Sequence, residues 1–169
     1  IHAWYLNKND KLTHMFRYVC IINKKDKDLI EKLISFGYIP NSEKPFGQYL
    51  VCYRSDEPDK SKFSACNKNE VKNILNLTEA IDCGDNVDLF LAISSLRENT
   101  DKDQWFVSKG WQNGFGKLDE CWVYCTEDTF DSFGQHNDSP NRYQMNYYLL
   151  FGFKKATIKE LINHFKWLL

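Results

Sequence analysis

No apolar run in the chain approaches the roughly 20 residues that a bilayer-spanning helix needs, so no membrane span is expected. A dominant charge is missing too. The 22 Lys and Arg stand against 23 Asp and Glu, for a net charge of −1. A dedicated nucleic-acid clamp is normally strongly basic, so that partner is disfavoured. No sequence repeat appears at the periods that define solenoids. What is present is one domain's worth of chain. Its 169 residues are too few for two large domains, and at 43% hydrophobic they are too apolar for a wholly disordered protein. The unusual quantity is the aromatic share, 15%, with 12 Phe, 9 Tyr and 5 Trp.

Cysteines are the second oddity: Cys20, Cys52, Cys66, Cys83, Cys121 and Cys125. An even number admits a secreted disulfide framework. Two features oppose it. The chain is well above the size that needs covalent staples. Cys20 and Cys52 also lie in apolar, strand-like runs, Tyr18–Ile22 and Leu50–Tyr53, where a thiol behaves as a small hydrophobe. The stretch Ile1–Asp10 has no apolar core of the secretory kind. The expectation is reduced core thiols in a cytoplasmic protein, with the sequons at Asn76 and Asn137 as chance matches. Cys121 and Cys125 alone have motif-like spacing. On a strand they share one face about 13 Å apart, at roughly 3.3 Å per residue, too far for one zinc ion or a disulfide. Neither a metal site nor a cofactor is expected.

Residues 1–14 are polar and unpatterned: a flexible arm, an extra edge strand or a remnant of added sequence. From Met15 strands and helices alternate. Phe16–Ile22 reads as a strand. Asp26 caps a helix bearing Leu29, Ile30, Leu33 and Ile34, which Gly37 ends and Pro40 blocks. Gln48–Arg54 and Lys62–Cys66 read as strands. Asn67 with Glu70 is a capping-box pattern ahead of Val71, Ile74 and Leu75. Glu79–Cys83 is a further strand, and Asp85 with Asp88 caps a helix carrying Val87, Phe90, Leu91, Ile93 and Leu96. Gln104–Ser108, a glycine-rich turn at Gly110–Gly116, and Glu120–Thr126 form a hairpin. Asp131–Asn141 is loop-like, Arg142–Phe153 an aromatic strand. Thr157 with Glu160 caps a terminal helix carrying Ile158, Leu161, Ile162, Phe165 and Leu169. The pattern predicts a single α+β domain over residues 15–169, with a mixed, mostly antiparallel sheet and helices on one face.

Candidate chemistry is sparse. Gly110–Gly116 leads into a strand with two acids rather than into a helix that could hold a phosphate. Cys83 is the one candidate nucleophile, since a thiolate at a strand end before a helix is stabilised by the helix N-terminus. Asp82, Asp85 and Asp88 oppose it, and neither His136 nor His164 has a context that marks it as the base. The acids around His136 lack the spacing of a calcium loop. Trp105, Trp111, Phe115, Trp122 and Tyr124 concentrate aromatic rings on two strands expected to pair. Such a platform can stack single-stranded bases or form a protein interface. Only Lys109 and Lys117 accompany Asp103, Asp119 and Glu120, which favours protein.

Two stretches, Glu79–Phe106 and Lys155–Phe165, resemble small uncharacterised proteins of anaerobic gut bacteria, their mobile elements and their phages. The resemblance implies an intracellular accessory protein and assigns no catalytic residue to any position. The expected function is therefore non-enzymatic protein binding through an exposed aromatic face, as a phage or mobile-element factor such as an inhibitor of a host protein. A cysteine-dependent hydrolase or transferase built on Cys83 and a single-stranded nucleic-acid binder are the alternatives.

Overall fold

The computed structural model describes residues 16, 18–41, 46–54, 61–97, 102–112, 118–125 and 153–166, the side chains of 109–112 and 118–119 excepted. The chain divides into two compact units, Ile1–Arg97 with Leu161–Leu169, and Glu98–Glu160. Among the described residues, four helices and two sheets make the α+β class read from the sequence.

The first unit opens with β1 (Cys20–Ile22), α1 (Lys27–Phe36) and the short β2 (Ile39–Pro40). The Asp26 carboxylate accepts the Leu29 N–H at 2.8 Å, satisfying one orphan donor of α1, and this bond holds the Asp26 carboxyl below its ordinary pKa. Gly37, at φ 113°, ends the helix with its N–H on the Ile34 and Leu33 carbonyls. β3 (Tyr49–Arg54) and β4 (Ser61–Cys66) follow. Just before β3, Gly47 has φ 134°, and a Cβ there would lie 2.0 Å from the Cys66 carbonyl oxygen, so no other residue fits. The capping Asn67 starts α2 (Lys68–Leu77), accepting the Glu70 N–H at 2.9 Å. β5 (Ile81–Asp82) and α3 (Val87–Ser94) complete the run.

The sheet order is β2-β4-β3-β1-β5, antiparallel within β4-β3-β1 and parallel at both edges. Register fixes its faces. Ile21, Val51 and Ser64 are neighbours in one row, and with Tyr49, Cys66 and Tyr53 they face α2, where Val71, Ile74 and Leu75 pack. Cys20, Cys52 and Phe63, with Ile22, Leu50 and Ala65, point the other way. That face is buried as well, and α3 packs on β1 and against α1. All three residues of β1 are buried, so the strand is covered from both sides. Tyr38 ties the layers: its hydroxyl donates to the Ser94 carbonyl at the end of α3, 2.7 Å away. Its ring stacks on Phe16, with centroids 4.1 Å apart. Burial pushes the Tyr38 hydroxyl pKa up.

Three readings shift. The cap of α3 is Asn86, not Asp85; its side-chain oxygen accepts the Leu89 N–H at 3.0 Å. An Asn cap takes that N–H as well as an Asp and, unlike a carboxylate, is readily buried. The expected strands at Phe16–Ile22 and Glu79–Cys83 shorten to β1 and β5. Ile34, counted on the apolar face of α1, is 51% exposed, while Phe36 takes the buried place.

In the second unit β6 (Gln104–Gln112) lies between β7 (Leu118–Cys125) and β8 (Lys154–Lys155), antiparallel to both. β6 runs beyond Ser108, so Gly110, Trp111 and Gln112 are strand rather than turn, and the register with β7 shifts between Ser108 and Trp111 as at a bulge. The readings for residues 1–14, Asp131–Asn141 and Arg142–Gly152 lie outside the described residues. α4 (Ile158–Lys166) begins on the expected capping box: the Glu160 N–H donates to the Thr157 hydroxyl and the Thr157 N–H to the Glu160 carboxylate, both at 3.3 Å. From Leu161 the helix belongs to the first unit. There Leu161 and Phe165 are buried, and the Asn86 amide donates to the Phe165 carbonyl at 3.0 Å.

Candidate functional site

Strand alternation divides the aromatic segment between two faces. Phe106, Cys121, Val123, Cys125 and Phe153 form the core of one. Trp105 lies opposite Tyr124 and Val107 opposite Trp122, so these four share the other face. The Trp105 and Tyr124 rings stand 5.0 Å apart at 52°. Three of the five expected binding residues are thus brought together. Trp111 pairs with Asp119 past the register shift, with its side chain outside the described residues, and Phe115 lies outside them altogether.

The face is open at its edge and closed at its centre. Tyr124 is 37% exposed, Trp105 and Trp122 are half-buried, and Val107 is fully buried. Carboxylates orient the rings. The Trp122 indole N–H donates to Glu120 Oε1 at 2.6 Å, and the Tyr124 hydroxyl donates to Asp103 Oδ1 at 3.0 Å. Asp103 itself sits at φ 61°, the left-handed turn that starts β6. Lys154, paired with Glu160, lies beside Val107 on the same face, so charges of both signs border it; the carboxylates beside the rings suit a partner with apolar and basic groups, since a cation can stack on tryptophan while pairing with the adjoining carboxylate.

Cys83 follows β5, as the sequence indicated, but it is 4% exposed and its N–H is bonded to the Ile21 carbonyl. Its sulfur lies 3.9 Å from the Ile81 carbonyl oxygen. Burial, then Cys20, then Asp82 push the thiol pKa up, so it is held protonated at neutral pH. An activated nucleophile requires the opposite. His164 packs edge-on against Phe165, and His136 lies outside the described residues. None of the six cysteines is in a disulfide, and Cys121 and Cys125 lie on one face of β7 as expected. Among the described residues no group of three or more His, Cys, Asp or Glu side chains could hold a metal ion, and no helix is long and apolar enough to cross a membrane.

Sequence reasoning missed one feature, a cavity of about 390 Å³ in the first unit between α2 and the sheet. Val19, Val51, Cys66 and Ile74 form its apolar lining. Asn41, Tyr53 and Ser64 add polar groups, with Arg54 and Glu70 also on its wall. These residues come from separate elements far apart in sequence, so no local motif announces them.

No family model, curated protein or solved structure matches the chain.

Proposed function

We propose that the chain is a non-enzymatic protein-binding factor that engages its partner through the open edge of the aromatic face in the second unit. The observation that carries this reading is the placement of Trp105, Trp122 and Tyr124 on one face, with Tyr124 exposed and two rings tied to carboxylates. Half-buried Trp and Tyr, pre-oriented by hydrogen bonds, lose little freedom on binding and are the residues that dominate interface energetics. The resemblance of Glu79–Phe106 and Lys155–Phe165 to phage and mobile-element proteins supports a role as an accessory factor directed at a host protein, as an inhibitor. The buried, protonated Cys83 weighs against a thiol enzyme, and the carboxylates that hold the Trp122 and Tyr124 rings weigh against single-stranded nucleic acid.

The test is a pair of affinity captures from a bacterial lysate, one with the native chain and one with a Trp122→Ala, Tyr124→Ala double variant of unchanged circular dichroism. A protein held by the first and lost from the second is expected. Identical captures, or an oligonucleotide that quenches tryptophan fluorescence in a salt-sensitive way, would overturn the reading.

A further inference from the structure

We infer that the aromatic face of the second unit seats an arginine side chain of its partner, laid over Trp122 and paired with Glu120. The inference rests on the docking reading above and names the chemical group that the face selects. Alternation puts Glu120, Trp122 and Tyr124 on one side of β7. The Trp122 indole N–H donates to Glu120 Oε1 at 2.6 Å, which holds the edge of the ring against the carboxylate. Glu120 is exposed, and among the described residues that neutral N–H is its one hydrogen-bond donor. Its second oxygen and its charge are therefore available to a cation from outside the chain.

The other charges on the face do not compensate Glu120. Lys154, beside Val107, is held by Glu160 at 2.6 Å, so that cation is matched within the chain. The Asp103 carboxylate accepts the Tyr124 hydroxyl at 3.0 Å, at the opposite end of the row of rings. Trp105, with its ring 5.0 Å from that of Tyr124, widens the π surface between the two carboxylates. Electron-rich rings framed by carboxylates complement a cation. A guanidinium suits the seat better than an ammonium. It is planar and weakly hydrated, and its N–H groups lie along its edge. It can therefore cover an indole while donating to a carboxylate at the ring's rim. An ammonium is a compact charge that holds its water tightly and has no flat face to stack.

The probe is the blocked tripeptide N-acetyl-leucyl-arginyl-leucinamide, with lysine and citrulline versions as the ammonium and neutral counterparts. Each is titrated at millimolar concentrations into the ¹⁵N-labelled full chain and read at the Trp122 indole resonance, assigned by its loss in Trp122→Phe. A saturable shift is expected, tightest for the arginine peptide. Glu120→Gln keeps an acceptor for the indole N–H and removes the charge. It is expected to weaken the arginine peptide about two- to fivefold, the range of one exposed ion pair, and to leave the citrulline peptide unchanged. The inference is overturned by the absence of a saturable shift, by lysine or citrulline binding as tightly as arginine, or by equal effects of Glu120→Gln on all three peptides. Lysate capture separates it from the reading beneath it. A protein lost from the Trp122→Ala, Tyr124→Ala variant but held undiminished by Glu120→Gln would remove the arginine seat and leave the docking face standing. Identical captures by the native chain and the double variant would remove the face itself.

Discussion

Replacing Tyr38 with Phe removes one oxygen atom and leaves the ring in place against Phe16. The lost group is the donor to the Ser94 carbonyl at 2.7 Å, a bond between residues 56 apart in sequence. Ser94 is fully buried and is the last residue of α3, where carbonyls have no partner within the helix. An ordinary hydrogen bond contributes about 1 kcal/mol net, and stranding a buried acceptor costs about 1–3 kcal/mol. Tyr38→Phe is therefore expected to lower the unfolding free energy by about 1–3 kcal/mol in urea denaturation, with an unchanged m-value. Tyr124→Phe is the control: its hydroxyl bonds Asp103 at an exposed site where water can substitute, so the loss should stay below about 0.5 kcal/mol. The pH dependence adds a second readout. Burial raises the Tyr38 pKa above its ordinary 10.0, so its contribution is complete below pH 10 and fades as pH climbs towards the folded value. The gap between wild type and Tyr38→Phe should narrow above pH 10. Equal losses in the two Tyr→Phe variants would refute the argument that Tyr38 caps α3.

Three further outcomes follow from local geometry. The Asp26 carboxyl is held below its ordinary 3.8, so its contribution is complete above that value and is lost as pH falls through the folded one. Asp26→Asn keeps the cap and should remove that component from an acid titration followed by circular dichroism. Gly47→Ala must displace the Cys66 carbonyl as well as strain its own backbone, and should lower the urea midpoint by at least about 1–3 kcal/mol equivalent. Under native conditions a thiol reagent should label Cys121, the one cysteine that is not buried, well before Cys20, Cys52, Cys66, Cys83 and Cys125. A Cys83 that reacts as fast as Cys121 would reopen the nucleophile reading.

Helix signals were the most legible part of the sequence, because they are local. Asp26, Asn67 and Thr157 each lie within three residues of the amide they accept from, and all three caps form. Asp85 misled because a carboxylate is as good a cap as an amide until burial is known, and Asn86 is buried. Alternation grouped Cys121 with Cys125; the β6–β7 register is what puts Trp105 on the face of Trp122 and Tyr124. Alternation carried no information on whether Val107, between them, would be covered. The cavity beside α2 was invisible for a related reason. Ser64 reads as an ordinary strand residue, and it becomes part of a cavity wall only when β2 and β3 lie on either side of it.

Asn86 reaches in two directions, capping α3 with its oxygen and holding the Phe165 carbonyl with its nitrogen. The first unit is accordingly discontinuous: it needs residues from Leu161 onward, while the second unit is one uninterrupted stretch. During synthesis on a ribosome the order of completion is therefore inverted. The unit whose strands emerge first stays unfinished, with the Asn86 amide unmatched, until the inserted unit has already been made. Release of a shortened chain ending before Leu161 would yield a finished second unit attached to an incomplete first one.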